Sequence, residues 1–196
     1  MKEKVLVLTG HRLEWIEADH YVLLGDWCQV GHERTEKDVI IMQYHWRDRK
    51  KFKEDYNYIK GFYSTILQAL SEKLNKTHSV NHSVLYWEII IGPWLLTLLP
   101  ALYDRWCSIK SVIDSKMKLT VSVCEHDTSI FSCSNYLKQA HKLQNDDYNF
   151  YIFSAIIDHL KPNNLLLRSA NLNNEKKARY VTHNNTISNT VLKIYD

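Results

Sequence analysis

The sequence predicts an α/β domain of Rossmann-like type, with a short, mostly parallel sheet and long kinked helices. Three observations carry that prediction. KVLVLTG (4–10) and YVLLGDW (21–27) are leucine-rich, β-branched runs that each close on a glycine, as buried strands do where they turn into loops. From Arg49 to Lys76, apolar residues recur at helical spacing: Tyr56, Ile59, Phe62, Tyr63, Ile66, Leu67, Leu70 and Leu74. KLTVSV (118–123) then returns to the alternating pattern of a strand. Strand, helix, strand in that order is the grammar of a parallel sheet, and Gly10 and Gly25 mark its carboxyl edge, where functional loops gather.

Taken in order, DVIIMQYHW (38–46) reads as a further strand or a helix start. THSVNHS (77–83) interrupts the long helix with small polar residues, and Ser83 is placed to cap a helix beginning near Val84. In YWEIIIGPWLLTLLPALYDRW (86–106), Pro93 lacks the amide a helix requires, so the helix is expected to stop or kink there and restart at Trp94, with Pro100 a second weak point. The apolar run from Ile89 to Leu102 falls short of the roughly 20 residues of a membrane-spanning helix. It reads as a buried core helix pair, with a membrane-surface segment through Trp94–Trp106 as the alternative. Two shorter helices are expected near 132–143 and 147–160. From Pro162 the chain turns asparagine-rich and loses periodicity, so residues 1–161 are expected to form the domain and 162–196 an irregular tail or the start of a second unit.

Composition narrows the function. With 45% apolar and 24% charged residues the chain is of ordinary globular balance, and a net charge of +3 without a concentrated basic face argues against a nucleic-acid partner. The basic stretch at 47–53 includes Asp48 and reads as a solvated helix start. Cys28, Cys107, Cys124 and Cys133 are widely spaced, so reduced thiols are expected. The N-terminal apolar run is too short for a secretory signal, which predicts a cytoplasmic address. Signature loops for dinucleotides, NTPs, zinc proteases and serine hydrolases are absent. His78 and His82 stand four apart but offer two ligands where a catalytic zinc takes three, so no metal is expected.

Aromatic and ionisable residues crowd into GDWC (25–28), YHWRDR (44–49) and NHSVLYW (81–87). An indole or phenol offers a face to a sugar ring and a polar edge to its hydroxyls, and arginine grips phosphate with parallel hydrogen bonds. On residue types alone these parts make either a sugar or sugar-phosphate site, or a core with helix-end ion pairs.

The succession LLGDWC, YHWRDRKKFKEDYNYI, LSEKLNKTHSVNHSVLYWEIIIGPWL and LYDRW, spanning about residues 20–110, resembles the amino-terminal part of a family of transferases found in O-antigen and other surface-polysaccharide loci. The resemblance implies a glycosyltransferase-like enzyme of GT-B arrangement, working in the cytoplasm or at the inner face of the membrane. Its partners would be a nucleotide-sugar donor, held mainly by a second domain, and a growing glycan, free or lipid-linked. It implies Asp26 or His45 as the base for the acceptor hydroxyl, Arg47 and Arg49 as phosphate-steering residues, and Trp27, Trp46 and Trp87 as stacking surfaces. His82 and Tyr86 would join them in binding substrate, with a helix N-terminus near Ser83 favouring an anionic group. No cofactor is implied, since cationic side chains and helix N-termini can stabilise the departing phosphate. Because the chain ends at Asp196, before a donor domain could be complete, a non-catalytic glycan-binding or assembly module of the same pathway is the alternative.

Overall fold

In the computed structural model, residues 4–29, 38–124, 130 and 132–170 are described. Five strands, β1 (Lys4–Val7), β2 (His20–Leu23), β3 (Asp38–Ile41), β4 (Leu119–Cys124) and β5 (Leu165–Ala170), form one sheet in the order β3-β2-β1-β4-β5. Every pairing is parallel, with Val5 opposite both Tyr21 and Thr120. The order reverses at β1, and Val5, Leu6, Val7, Val22 and Leu23 there are wholly buried. That is why those strands read as continuous apolar runs rather than alternating ones. The Rossmann-like class is thus the observed one.

Four α-helices accompany the sheet among the described residues: α1 (Arg49–His78), α2 (Val84–Asp114), α3 (Tyr136–Lys142) and α4 (Asp146–Leu160). Asp48 caps α1 by accepting from the amides of Lys50 and Lys51, and Ser83 caps α2 by accepting from Tyr86, the second as the sequence predicts. The two long helices form a hairpin between β3 and β4, each about 45 Å long.

Three expectations are corrected. First, α2 neither stops nor restarts at Pro93: it runs unbroken with Pro93 and Pro100 inside it. Here α1 packs closely on the helix: the Tyr63 hydroxyl donates to Glu88 at 3.3 Å and lies 3.0 Å from where a Cβ on Gly92 would stand, so the glycine leaves room for the contact. Second, the apolar run of α2 is not a buried core pair. The helix is long and apolar enough to cross a membrane by length and composition, yet only 17% of its most apolar stretch is buried. Trp87, Gly92 and Leu95 are buried, and Ile109 and Val112 join the core at the sheet, but Ile89 is 73% and Leu96 63% exposed. One long helix covers only part of another's circumference. Third, the segment from Pro162 is regular at Leu165–Ala170, where β5 pairs with β4 along its whole length. Residues 171–196 lie outside the described residues.

Candidate functional site

The site grows from the carboxyl ends of the first three strands. After β1 the chain turns through a short 3-10 segment at Arg12–Glu14, and the fully buried Glu14 carboxyl reaches back to accept from the amides of Leu8 and Thr9 and from the Thr9 hydroxyl. Burial pushes Glu14 up to about 8, against the pull of those donors. Next to it, His11 Nδ1 accepts from the Leu13 amide at 3.2 Å, which leaves the proton on Nε2 for Asp147 at 3.2 Å on α4. Its ring stacks on Phe150. The end of β1 is thereby locked to the start of α4.

After β2, Trp27 donates its indole N–H to the Leu8 carbonyl at 2.9 Å. Its six-membered ring lies over Gly25, where any Cβ would overlap it. The residue type at 25 is thus dictated by the indole at 27. After β3 the turn Tyr44–Arg47 delivers a phenol, an imidazole, an indole and a guanidinium in succession before Asp48 opens α1.

These loops border a cleft of about 610 Å³. Thr9, Asp26, Trp27, Tyr44 and Arg47 form its sheet side; Asp104 and Arg105 of α2, and Asp146, Asn149 and Phe153 of α4, form the other. It stands beside the reversal of strand order at β1, where open parallel sheets bind ligands. Arg105 is held by three acceptors: Asp104 at 2.9 Å, Asn149 at 3.1 Å and the Leu143 carbonyl at 3.2 Å. The second oxygen of Asp104 accepts from His45 Nε2 at 3.1 Å. Burial, then the charge of Asp104, raises the pKa of the Tyr44 phenol, which keeps it a neutral donor. Across the cleft, Asp26 and Arg47 pair at 3.1 Å, both well exposed.

Asp26, Trp27 and Arg47 of the expected site residues are therefore brought together. His45 is not in the cleft: its ring is buried behind Asp104, with Nδ1 lacking a hydrogen bond and 3.9 Å from Asp55. Trp46 turns away and donates to Asp55 at 2.9 Å. Arg49 is exposed on the first turn of α1, outside the cleft lining. His82, Tyr86 and Trp87 sit at the far end of the hairpin, Trp87 about 25 Å along α2 from Asp104. There Asn75 ties the turn by accepting from the Trp87 indole and the His82 amide and donating to the His82 carbonyl.

His45, Asp55 and Cys107 offer ligand atoms within 4.8 Å of one another. Asp55 is nevertheless satisfied by Lys51 Nζ, at 2.8 and 3.1 Å from its two oxygens, by Trp46 and by Tyr103 at 3.0 Å. Burial pushes its carboxyl up, but these three donors outweigh it and lower the pKa. The Lys51 ammonium thus neutralises the one carboxylate of this cluster. Cys28, Cys107 and Cys124 are free, buried thiols as expected. Sequence reasoning missed Thr9, His11, Glu14, Asp104, Arg105 and Asn149. Two signals were present: Thr9 and His11 flank the glycine that ends the first strand, and Asp104-Arg105 lies in the LYDRW cluster.

A parallel Rossmann-like sheet with a polar, aromatic cleft at its carboxyl edge defines an α/β domain of the open-sheet kind, whose ligands bind at that edge. The model of the LIC12162 family of transferases matches residues 4–195, and the chain belongs to that family. Comparison with curated proteins and with solved structures returned no match. Transferase function is therefore its general class.

Proposed function

We propose that this chain is the acceptor-side domain of a glycosyltransferase that builds O-antigen or capsule, moving a sugar from a nucleotide-sugar donor to a growing glycan in the cytoplasm. The observation that supports the reading is the convergence of Asp26, Trp27, Tyr44 and Arg47 on one cleft facing Asp104 and Arg105. Trp27 and Tyr44 meet edge to face at 6.0 Å between centroids, leaving ring surface for a sugar. Both oxygens of Asp104 are engaged, by His45 and Arg105, so it organises the cleft wall. Among the described residues Asp26 is bonded through one oxygen only, in an exposed ion pair that exchanges readily with water. Asp26 and Asp146 are thus the cleft carboxylates placed to take the acceptor proton, and Asp26 is the one that stands beside Trp27 and Arg47, with Arg47 free to turn to phosphate. His45, the other expected base, acts through Asp104 as a positioning residue.

The test is release of nucleotide from a panel of UDP-, GDP-, CMP- and dTDP-activated sugars. Asp26→Asn is expected to lower turnover by about 10²–10⁴-fold while the melting temperature stays unchanged, the residue being exposed. Wild-type turnover in that variant removes the assignment. Glycan binding with no nucleotide release from any donor would instead favour the non-catalytic module.

A further inference from the structure

Behind the cleft wall, three elements bring unlike donor atoms to one point. His45 comes from the turn after β3, Asp55 from the start of α1 and Cys107 from α2, and their ligand atoms all lie within 4.8 Å of one another. The three are interior: the His45 and Asp55 side chains are 7% and 9% exposed, and Cys107 is 8% exposed. They are scattered along the sequence, so no ligand spacing announces them there.

His45 carries the argument. Its Nε2–H donates to Asp104 at 3.1 Å, which fixes the proton on that nitrogen and leaves Nδ1 with a lone pair. Nδ1 is buried, has no hydrogen-bond partner among the described residues, and faces Asp55 Oδ2 at 3.9 Å. Two lone-pair-bearing atoms so placed are matched by a cation between them. A proton on Nδ1 does not bridge them, since 3.9 Å exceeds hydrogen-bond length. A metal ion does: ligands about 2.0–2.3 Å from a tetrahedral zinc stand about 3.3–3.8 Å apart. The surroundings are those of a metal site as well. A ligating histidine gives its other N–H to a carboxylate, as His45 does to Asp104, and a ligating carboxylate is itself hydrogen-bonded, as Asp55 is by Trp46 at 2.9 Å and by Tyr103 at 3.0 Å.

We propose that His45 Nδ1, Cys107 Sγ and the Asp55 carboxylate form a buried site for one divalent transition-metal ion, with zinc the best match. Nitrogen, sulfur and oxygen donors together suit zinc, whereas magnesium and calcium take oxygen. Lys51 neutralises Asp55 at 2.8 Å, but its side chain is 40% exposed, so the ammonium swings out to water as the ion enters. Cys107 releases its thiol proton to solvent in the same event. One dication thereby replaces an ammonium and a proton, and the charge of the site is unchanged. None of the three ligands lines the cleft, so the ion braces it from behind rather than entering its chemistry. It ties the turn after β3 to both long helices and, through His45, fixes Asp104 in the cleft wall.

The test titrates the full chain, stripped of metal with a chelator under reducing conditions, with Co²⁺ and then with Zn²⁺. The wild type is expected to show the near-ultraviolet charge-transfer band of a cobalt–thiolate bond, and Zn²⁺ to abolish that band and raise the melting temperature. Cys107→Ser is expected to lose the band and at least about 10²-fold in Zn²⁺ affinity, more than a change outside the ligand set costs. Cys133→Ser, at a partly exposed thiol, is expected to keep both. Lys51→Gln, at a position 40% exposed, tests the site even where Cys107→Ser does not fold. It is expected to bind Zn²⁺ about tenfold more tightly, the competing cation being gone. A missing thiolate band, a band that survives Cys107→Ser, or Zn²⁺ binding that Lys51→Gln leaves unchanged or weakens overturns the inference. So does Zn²⁺ affinity that collapses in His82→Ala, since the exposed His78 and His82 at the hairpin turn would then hold the ion.

Discussion

The carboxyl edge of the sheet and the far end of the α1–α2 hairpin are built from the same residue types. Trp27 and Trp87 each donate an indole N–H at 2.9 Å, to the Leu8 carbonyl and to Asn75 Oδ1 respectively. Each stands among histidine, tyrosine and asparagine or aspartate. At the hairpin, however, the aromatic groups spend their faces on one another: His82 stacks on Tyr86 at 3.9 Å and Trp87 meets both rings. At the sheet edge, three loops and two helices surround a void, where Trp27 and Tyr44 meet edge to face and arginines stand on both sides. Composition makes a site possible, and topology decides which cluster becomes one.

The largest effect expected from this contrast concerns the brace beneath the sheet edge. Glu14 has an ordinary value of 4.5 and is held at about 8 by burial, so the folded state binds its proton more tightly than the unfolded state does. Its stabilising effect is complete below 4.5 and is lost as pH rises through 8, a decline on the order of 4 kcal/mol. Urea unfolding at pH 4.5 and pH 8.5 reads it; equal stabilities would remove Glu14 as a protonated brace.

Gly25→Ala sharpens the comparison from the cleft side. The added methyl overlaps the Trp27 ring, so the indole must leave its place over the glycine, at a cost of about 1–3 kcal/mol for overpacking. Turnover is expected to fall with it, and a near-native rate in a correctly folded variant would show that Trp27 is not a binding surface. Asn75→Ala is the counterpart at the hairpin. It removes the clasp across the turn and is expected to cost about 1–2 kcal/mol with turnover unchanged. Thermal melts beside the same assay check this, and lost turnover at native stability would move function to the hairpin.

Much of the fold was legible because it rests on local chemistry. β1, β2 and β4 announce themselves as apolar β-branched runs, α1 by its period, and the start of α2 by its Ser83 cap. The course of α2 was not, because Pro93 predicts a break from local geometry alone, whereas the close approach of Tyr63 at Gly92 is a tertiary fact. The exposure of Ile89 and Leu96 was hidden for a related reason: sequence shows that a residue is apolar, not what stands opposite it. β5 was masked by its asparagine-rich surroundings and declares itself only by pairing with β4.

The site divides along the same line. Asp26, Trp27 and Arg47 were found because GDWC and YHWRDR are local clusters of aromatic and ionisable residues. Asp104 lies 59 residues from its partner His45, and Arg105 lies 44 residues from Asn149, so no local pattern connects them. That separation also explains why His45 reads as a candidate base in sequence while its ring lies buried against Asp104 in space.

The most direct measurement of the central claim compares Arg47→Ala with His82→Ala in one nucleotide-sugar turnover assay. Both residues are exposed and both come from aromatic clusters, but one borders the cleft and the other closes a helix turn. The account predicts a loss of at least about 10²-fold for Arg47→Ala and an unchanged rate for His82→Ala. A preserved rate in Arg47→Ala with a collapse in His82→Ala would contradict it and place the site at the hairpin.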